Sequence, residues 1–169
     1  MFGELNLPTF NVEISTSAFL FKGEFEPKGD MLIFLNDDRY AVIRLDEAKL
    51  YSLANEAKIR GVKQPMIAVS KKEIMAVSIL TTEDFEKVTL LASKRPFVMY
   101  TSTYAIRGNL HVNSDSRDDD IFDETKTFFA ISDASIYPIH TTRQYPTVKV
   151  PVLFLNQNQV YAYHPYQPE

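Results

Sequence analysis

The chain has 169 residues, 45% of them hydrophobic and 12% aromatic, with a formal net charge of −4. That composition is enough for a real core rather than disorder, and the length suggests one or two small domains. There is no Cys and no Trp, which excludes disulfides, thiolate metal sites and a Cys nucleophile, and fits a reducing, cytoplasmic location.

No apolar run approaches the ~18 residues of a membrane span. Met1–Pro8 has neither a basic nor a long apolar segment, so no signal peptide is expected. Residues 12–80 carry ten Lys and Arg against ten Asp and Glu, and residues 97–169 carry five against eight. Neither stretch has the basic excess that drives binding to a phosphate backbone, so no nucleic-acid partner is expected.

In chain order, residues 1–11 read as an apolar arm (Phe2, Leu5, Leu7, Phe10) docked on the core. Val12–Ser15 reads as a strand and Thr16–Ala18 as a turn. Phe19–Phe25 reads as a second strand, bent at Gly23. Pro27–Asp30 has turn chemistry, Met31–Leu35 is apolar, and Asn36–Asp38 reads as a loop.

Asp46–Lys58 favours helix by propensity alone. An internal echo argues for strand instead. Thr16, Ser17 and Gly23 recur 85 positions later as Thr101, Ser102 and Gly108. Ala48, Tyr51, Val62, Lys63 and Pro65 recur 86 positions later as Ala134, Tyr137, Val148, Lys149 and Pro151. Eight such coincidences indicate one small domain present twice. The later copy, Phe128–Pro138, is rich in strand formers. Residues 40–45 and 48–53 are therefore read as strands, with a helical turn near 54–60. Ser70–Lys72 and Asn156–Asn158 are matching polar links between the last two strands of each copy.

Between the copies, Thr82–Lys94 has a capping Thr, early acids, late bases and an apolar face of Phe85, Val88, Leu91 and Ala92, with Pro96 as its stop. It predicts one amphipathic helix. The domains expected are a first barrel at 1–80 with its arm, a helical connector at 81–96, and a second barrel at 97–169 with its tail.

The order of strand, tight turn, Gly-bent strand, loop, strand ending in Ala134, strand, polar link and strand resembles the Sm-like fold, a small SH3-type barrel of five strands. The Tyr104–His111 segment, "Y-x-I-x-G-x-L-H", is also similar to one shared by uncharacterised bacterial proteins. The Sm-like resemblance implies two tandem barrels in a mainly β chain. It also implies head-to-tail contacts, the fourth strand of one barrel pairing with the fifth of the next. Met66–Val69 or Ile74–Val77 would meet the matching strand of copy two, whose candidate edges are Val152–Leu155 and Val160–Tyr163. Sm-like proteins read RNA bases with an Asn before the third strand and an Arg-Gly between the last two. Here Arg39-Tyr40 and Lys126-Thr127 stand at the first place, and Ser70-Lys71 and Asn156-Gln157 at the second, so the base-reading pair is missing.

Arg117–Glu124 is the densest charge cluster, but it lacks the spacing of a Ca²⁺ loop and reads as a solvated loop anchored by Ile121 and Phe122. His111, His140 and His164 have no metal-ligand spacing. No nucleophile elbow or Gly-rich phosphate loop is present. The reading is a non-catalytic binding or assembly module with no catalytic, metal or cofactor site, partnered by itself or by another protein. An Sm-like nucleic-acid binder and a ligand-binding or enzymatic domain are its alternatives.

Overall fold

The computed structural model describes residues 7–122 and 125–167. It is mainly β: β1 (Phe10–Ser15), β2 (Phe19–Phe25), β3 (Val42–Ser52), β4 (Gly61–Ser70), β5 (Ala76–Ile79), β6 (Lys94–Tyr100), β7 (Tyr104–His111), β8 (Phe128–Pro138), β9 (Lys149–Asn156) and β10 (Ala162–Pro165). Two short helices interrupt them, α1 (Met31–Leu35) and α2 (Thr82–Phe85). All ten strands join one antiparallel sheet in the order β10-β6-β7-β8-β9-β5-β1-β2-β3-β4. The sheet does not close: β10 and β4 are its ends. A mainly β chain was expected, but two closed barrels are not what the pairings give. Among the described residues no helix is long and apolar enough to cross a membrane.

The pairings run 5-1-2-3-4 in the first five strands and 10-6-7-8-9 in the last five. The same local devices make both. Thr16 Oγ1 accepts from the Phe19 amide at 2.9 Å and the Thr16 amide donates to the Phe19 carbonyl at 2.9 Å. Thr101 makes the same two bonds with Tyr104, at the same lengths. A hydroxyl that bonds the backbone three residues on closes a tight turn before the strand begins.

Both long second strands slip register at their glycine, between Lys22 and Glu24 and between Arg107 and Asn109. Opposite lies a residue with φ of 47°, Glu47 in β3 and Asp133 in β8. The ladders to β4 and β9 skip these residues where Pro65 and Pro151 face them, and a proline has no N–H to give. A Cβ on Gly23 would lie 3.0 Å from the Asp46 carbonyl oxygen; on Gly108 it would lie 2.5 Å from Ile131 Cγ2. Close backbone approach, not a left-handed φ, is what asks for glycine here.

β3 is one strand from Val42 to Ser52, so the helix that propensity favours over 46–58 does not form, and 54–60 is turn and irregular chain without the helical turn expected. The alternation of Ile43, Leu45 and Ala48 into the core outweighs intrinsic preference. The helical connector at 81–96 is a correction. Only the turn Thr82–Phe85 is helical, capped by Thr81, and from Lys94 the chain is already β6. Phe85, Val88 and Leu90 pack on the first core rather than forming one stripe with Leu91. Pro96 stops no helix; it sits in β6 opposite Asn109. Conversely, Met31–Leu35 is a helix, because the Asp30 carboxylate accepts from the Ile33 amide at 3.2 Å.

Two cores result. One gathers Phe10, Ile14, Leu45 and Phe34, and borrows Phe128, Val152 and Phe154 from the later strands. The other gathers Phe97, Tyr104, Ile106 and Ile131, and borrows Met75 and Ala76 from the earlier ones. The exchange occurs where β5 meets β9. Of the arm at 1–11, Phe2 and Leu5 lie outside the described residues, Leu7 is exposed and Phe10 is buried at the start of β1.

Candidate functional site

The β5–β9 joint sets Ala76 against Leu155, Val77 against Phe154, Ser78 against Leu153 and Ile79 against Val152. The last strand of the first half thus meets the fourth strand of the second. The ladder is extended by the Asn156 amide, 2.9 Å from the Met75 carbonyl, and by Asn156 Nδ2, 2.9 Å from the Ile74 carbonyl.

Side chains then lock the halves together. Glu13, 2% exposed, accepts from the Thr147 amide at 2.8 Å and from the Thr147 hydroxyl at 2.5 Å. Both carboxylate oxygens are satisfied, which a buried acid requires. Arg143 donates its amide to the Leu53 carbonyl at 2.9 Å and its guanidinium to the carbonyls of Ala57 and Asn55 at 2.8 and 2.5 Å. Tyr104 is 1% exposed and its hydroxyl has no hydrogen-bond partner. Burial pushes its pKa up to about 12, with Ser15 opposing the shift and the Glu13 carboxylate adding to it. On the other side of the joint, Asn36 Oδ1 accepts from the amides of Thr127 and Phe128, and Asn36 Nδ2 donates to the Phe128 carbonyl.

Among the described residues the two sheet ends have no further strand beside them. On β4, Lys63, Gln64, Met66 and Ala68 are exposed, and on β10, Ala162, His164 and Pro165. Phe19 (36%), Met66 (45%) and Tyr161 (77%) are large apolar side chains left in solvent.

The positions matched to the Sm-like base readers are partly brought together. Tyr40, Ser70, Lys71, Thr127 and Asn156 line one cavity of about 650 Å³ beside the joint. Arg39 lies outside it and chelates Asp37, whose carboxylate is held down at about 2 by that guanidinium. Two of the polar side chains in its wall, Lys71 and Asn156, already serve the chain's own backbone, and Lys72 and Asn158 line it as well. Lys71 Nζ donates to the carbonyls of Phe34 at 2.6 Å and Asp37 at 3.0 Å, closing the end of α1, and burial lowers its pKa. Asn156 is bonded at both ends of its amide.

His140 is exposed in the loop after β8. His111 joins the connector to β8, with Nδ1 2.7 Å from the Leu91 carbonyl and Nε2 2.7 Å from Ser132 Oγ. A carbonyl only accepts, so Nδ1 carries the proton and Nε2 takes the serine's. Of the acidic loop, Asp118 pairs with Arg95 at 2.7 Å, Ile121 is buried and Phe122 packs on Phe129 and Tyr163; Asp123 and Glu124 lie outside the described residues. No group of three or more possible metal ligands occurs among the described residues.

The roles of Glu13, Arg143 and His111 are not legible in the sequence. Glu13 left one signal, a lone acid between Val12 and Ile14. A comparison with family models, curated proteins and solved structures finds no match for this chain.

Proposed function

We propose that the chain is a non-catalytic assembly module made of two tandem copies of one small SH3/Sm-like unit, and that separate chains join edge to edge as the two units do. The β5–β9 joint carries this reading. Moved along by one unit, it sets β10 of one chain against β4 of the next. Ala162 then faces Val69, Tyr163 faces Ala68, His164 faces Ile67 and Pro165 faces Met66 of the neighbouring copy. The Asn156–Met75 bond becomes one from the Ser70 amide of that copy to the Tyr161 carbonyl.

The exposed residues support the same register. Tyr104 is buried against β1 beside Ser15 and Glu13. Its counterpart Phe19 is in solvent, and the shift places it beside Tyr100 and Val98 of the neighbour. An unpaired apolar edge needs a cover, and a second chain supplies one. Such a contact is head to tail, so it grows until it closes into a ring or extends as a filament. The cavity beside the joint is read as structural, because Lys71 and Asn156 in its wall serve the chain's own backbone. With the charge balance, this predicts no sub-micromolar binding to RNA or DNA.

Light scattering over a dilution series tests the reading. The expected mass is a multiple of the 19.4 kDa chain. Lys71 donates its amide to the Ala41 carbonyl, so by strand alternation the Ala68 amide points away from β3, and Ala68→Pro blocks the edge without breaking the sheet. That variant is expected to be a folded monomer. Wild-type protein that stays at the mass of one chain at every concentration contradicts the reading.

A further inference from the structure

We propose that His164 makes the chain-to-chain edge dependent on pH while the internal joint is not. The proposal rests on the assembly reading above and adds a regulator to it. His164 is the counterpart of Ser78, which is 3% exposed inside the joint. A neutral hydroxyl stands at the internal junction and a titratable imidazole at the external one.

In the single chain the ring is exposed and lies against Tyr100, with 5.6 Å between centroids. Its Nδ1 is 2.8 Å from the Pro165 carbonyl, which only accepts, so Nδ1 bears a proton. Nε2 is 2.9 Å from the Tyr100 hydroxyl and accepts from it in the neutral ring. A second proton on Nε2 turns this ring into a cation on the rim of the sheet.

Pairing would bury that ring, as Ser78 is buried, against Ile67 of the neighbouring copy. The groups facing it offer a cation no opposite charge. From β6 comes the neutral Tyr100. From β7 comes Arg107, across Val98 from His164; its guanidinium lies against Tyr166 and Tyr137. On the neighbour, Ile67 faces Leu45, and the ion pair Arg44–Asp46 flanks Leu45 on the opposite face of β3. None of these groups brings a carboxylate to the ring. Burial without an anion disfavours imidazolium, so each contact releases the proton bound in the free chain.

Histidine is the side chain whose charge changes between about pH 5 and 8. Proton release on pairing makes assembly stronger at the upper end of that range and weaker as the pH falls. By linkage each contact loses about tenfold in affinity between pH 7.5 and 5.5.

Sedimentation velocity on the whole chain at pH 7.5 and 5.5 tests this, with His164→Gln and His164→Lys beside wild type. The expected result is a wild-type dissociation constant about tenfold higher at pH 5.5. The Gln variant assembles equally at both, and the Lys variant stays monomeric at both. His111 and His140 remain in every variant. Wild-type protein that assembles equally at both pH values, or a Gln variant that keeps the wild-type dependence, overturns the role of His164 and leaves assembly standing. Wild-type protein monomeric at both overturns assembly and this proposal together.

Discussion

The two halves share a strand order, a turn and a bulge, yet several side chains that face the other half differ from their counterparts. Glu13, Ser15 and Ser78 on the first half are polar and buried under the second. Val98, Tyr100 and His164, their counterparts on the second half, have no strand above them, and His164 is exposed. Tyr104 is buried at the joint, and its counterpart Phe19 is 36% exposed. Core positions barely change: Ile43, Leu45 and Ala48 answer to Phe129, Ile131 and Ala134, all buried. The backbone plan thus tolerates different chemistry on its junction faces.

The largest test of this comparison uses the two glycines. Alanine at Gly108 must push Ile131 Cγ2 away from 2.5 Å and also meets the Ser132 carbonyl at 2.9 Å; at Gly23 the nearest contacts are 3.0 and 3.1 Å. Gly108→Ala is expected to cost about 3 kcal/mol and Gly23→Ala about 1 kcal/mol, read by chemical denaturation. Equal costs would show that the second bulge is no tighter than the first.

A smaller effect separates Tyr104 from Phe19. Removing an unpartnered buried hydroxyl relieves its desolvation, so Tyr104→Phe is expected to be neutral or to stabilise by up to about 1 kcal/mol at pH 7. The pKa of this phenol is raised from the ordinary 10 to about 12. The neutral form is favoured in the fold, so its contribution is complete below pH 10 and is lost as the pH climbs from 10 to 12. Over that window wild type should lose roughly 1.4 kcal/mol per pH unit relative to Tyr104→Phe. Denaturation curves that stay parallel from pH 9 to 12 would remove the buried phenol from the account.

The smallest effect concerns the turns. Thr16→Val and Thr101→Val each lose the hydroxyl's three bonds to the backbone, the shortest of them 2.9 Å to an amide, so each is expected to cost about 1 kcal/mol and the two to agree within roughly 0.5 kcal/mol. A turn that matters in one half alone would show as a lopsided pair in thermal melts.

Much of the backbone was readable from spacing. The strands read over 40–45 and 48–53, which the structure joins into one from Val42 to Ser52, emerged only because Ala48 and Tyr51 recur as Ala134 and Tyr137, where helix propensity is absent. Pro65 and Pro151 marked the same place, opposite the bulged Glu47 and Asp133. The connector was misread, because the capping pattern of Thr82–Glu86 is real for one turn while Lys94–Phe97 is taken into the ladder with β7. No local pattern reports a pairing partner 13 residues away, as for Pro96 opposite Asn109. The α1 helix was missed for the opposite reason, since five apolar residues look alike as strand or helix until Asp30 caps them. Of the candidate site, the strands at the joint were legible, whereas Glu13–Thr147 joins residues 134 apart and the burial of Ser78 depends on the finished sheet.

The central claim is that β10 and β4 of different chains pair in the register of the internal joint. The chain has no cysteine, so cross-linking starts from a silent background. Val69→Cys and Ala162→Cys variants, mixed and oxidised, place one thiol on each edge at facing positions, within the reach of a disulfide. The account predicts a covalent dimer in the mixture and none in either variant alone. It predicts no dimer when Lys63→Cys replaces Val69→Cys. No cross-link in the first mixture, or equal cross-linking in the second, would contradict it.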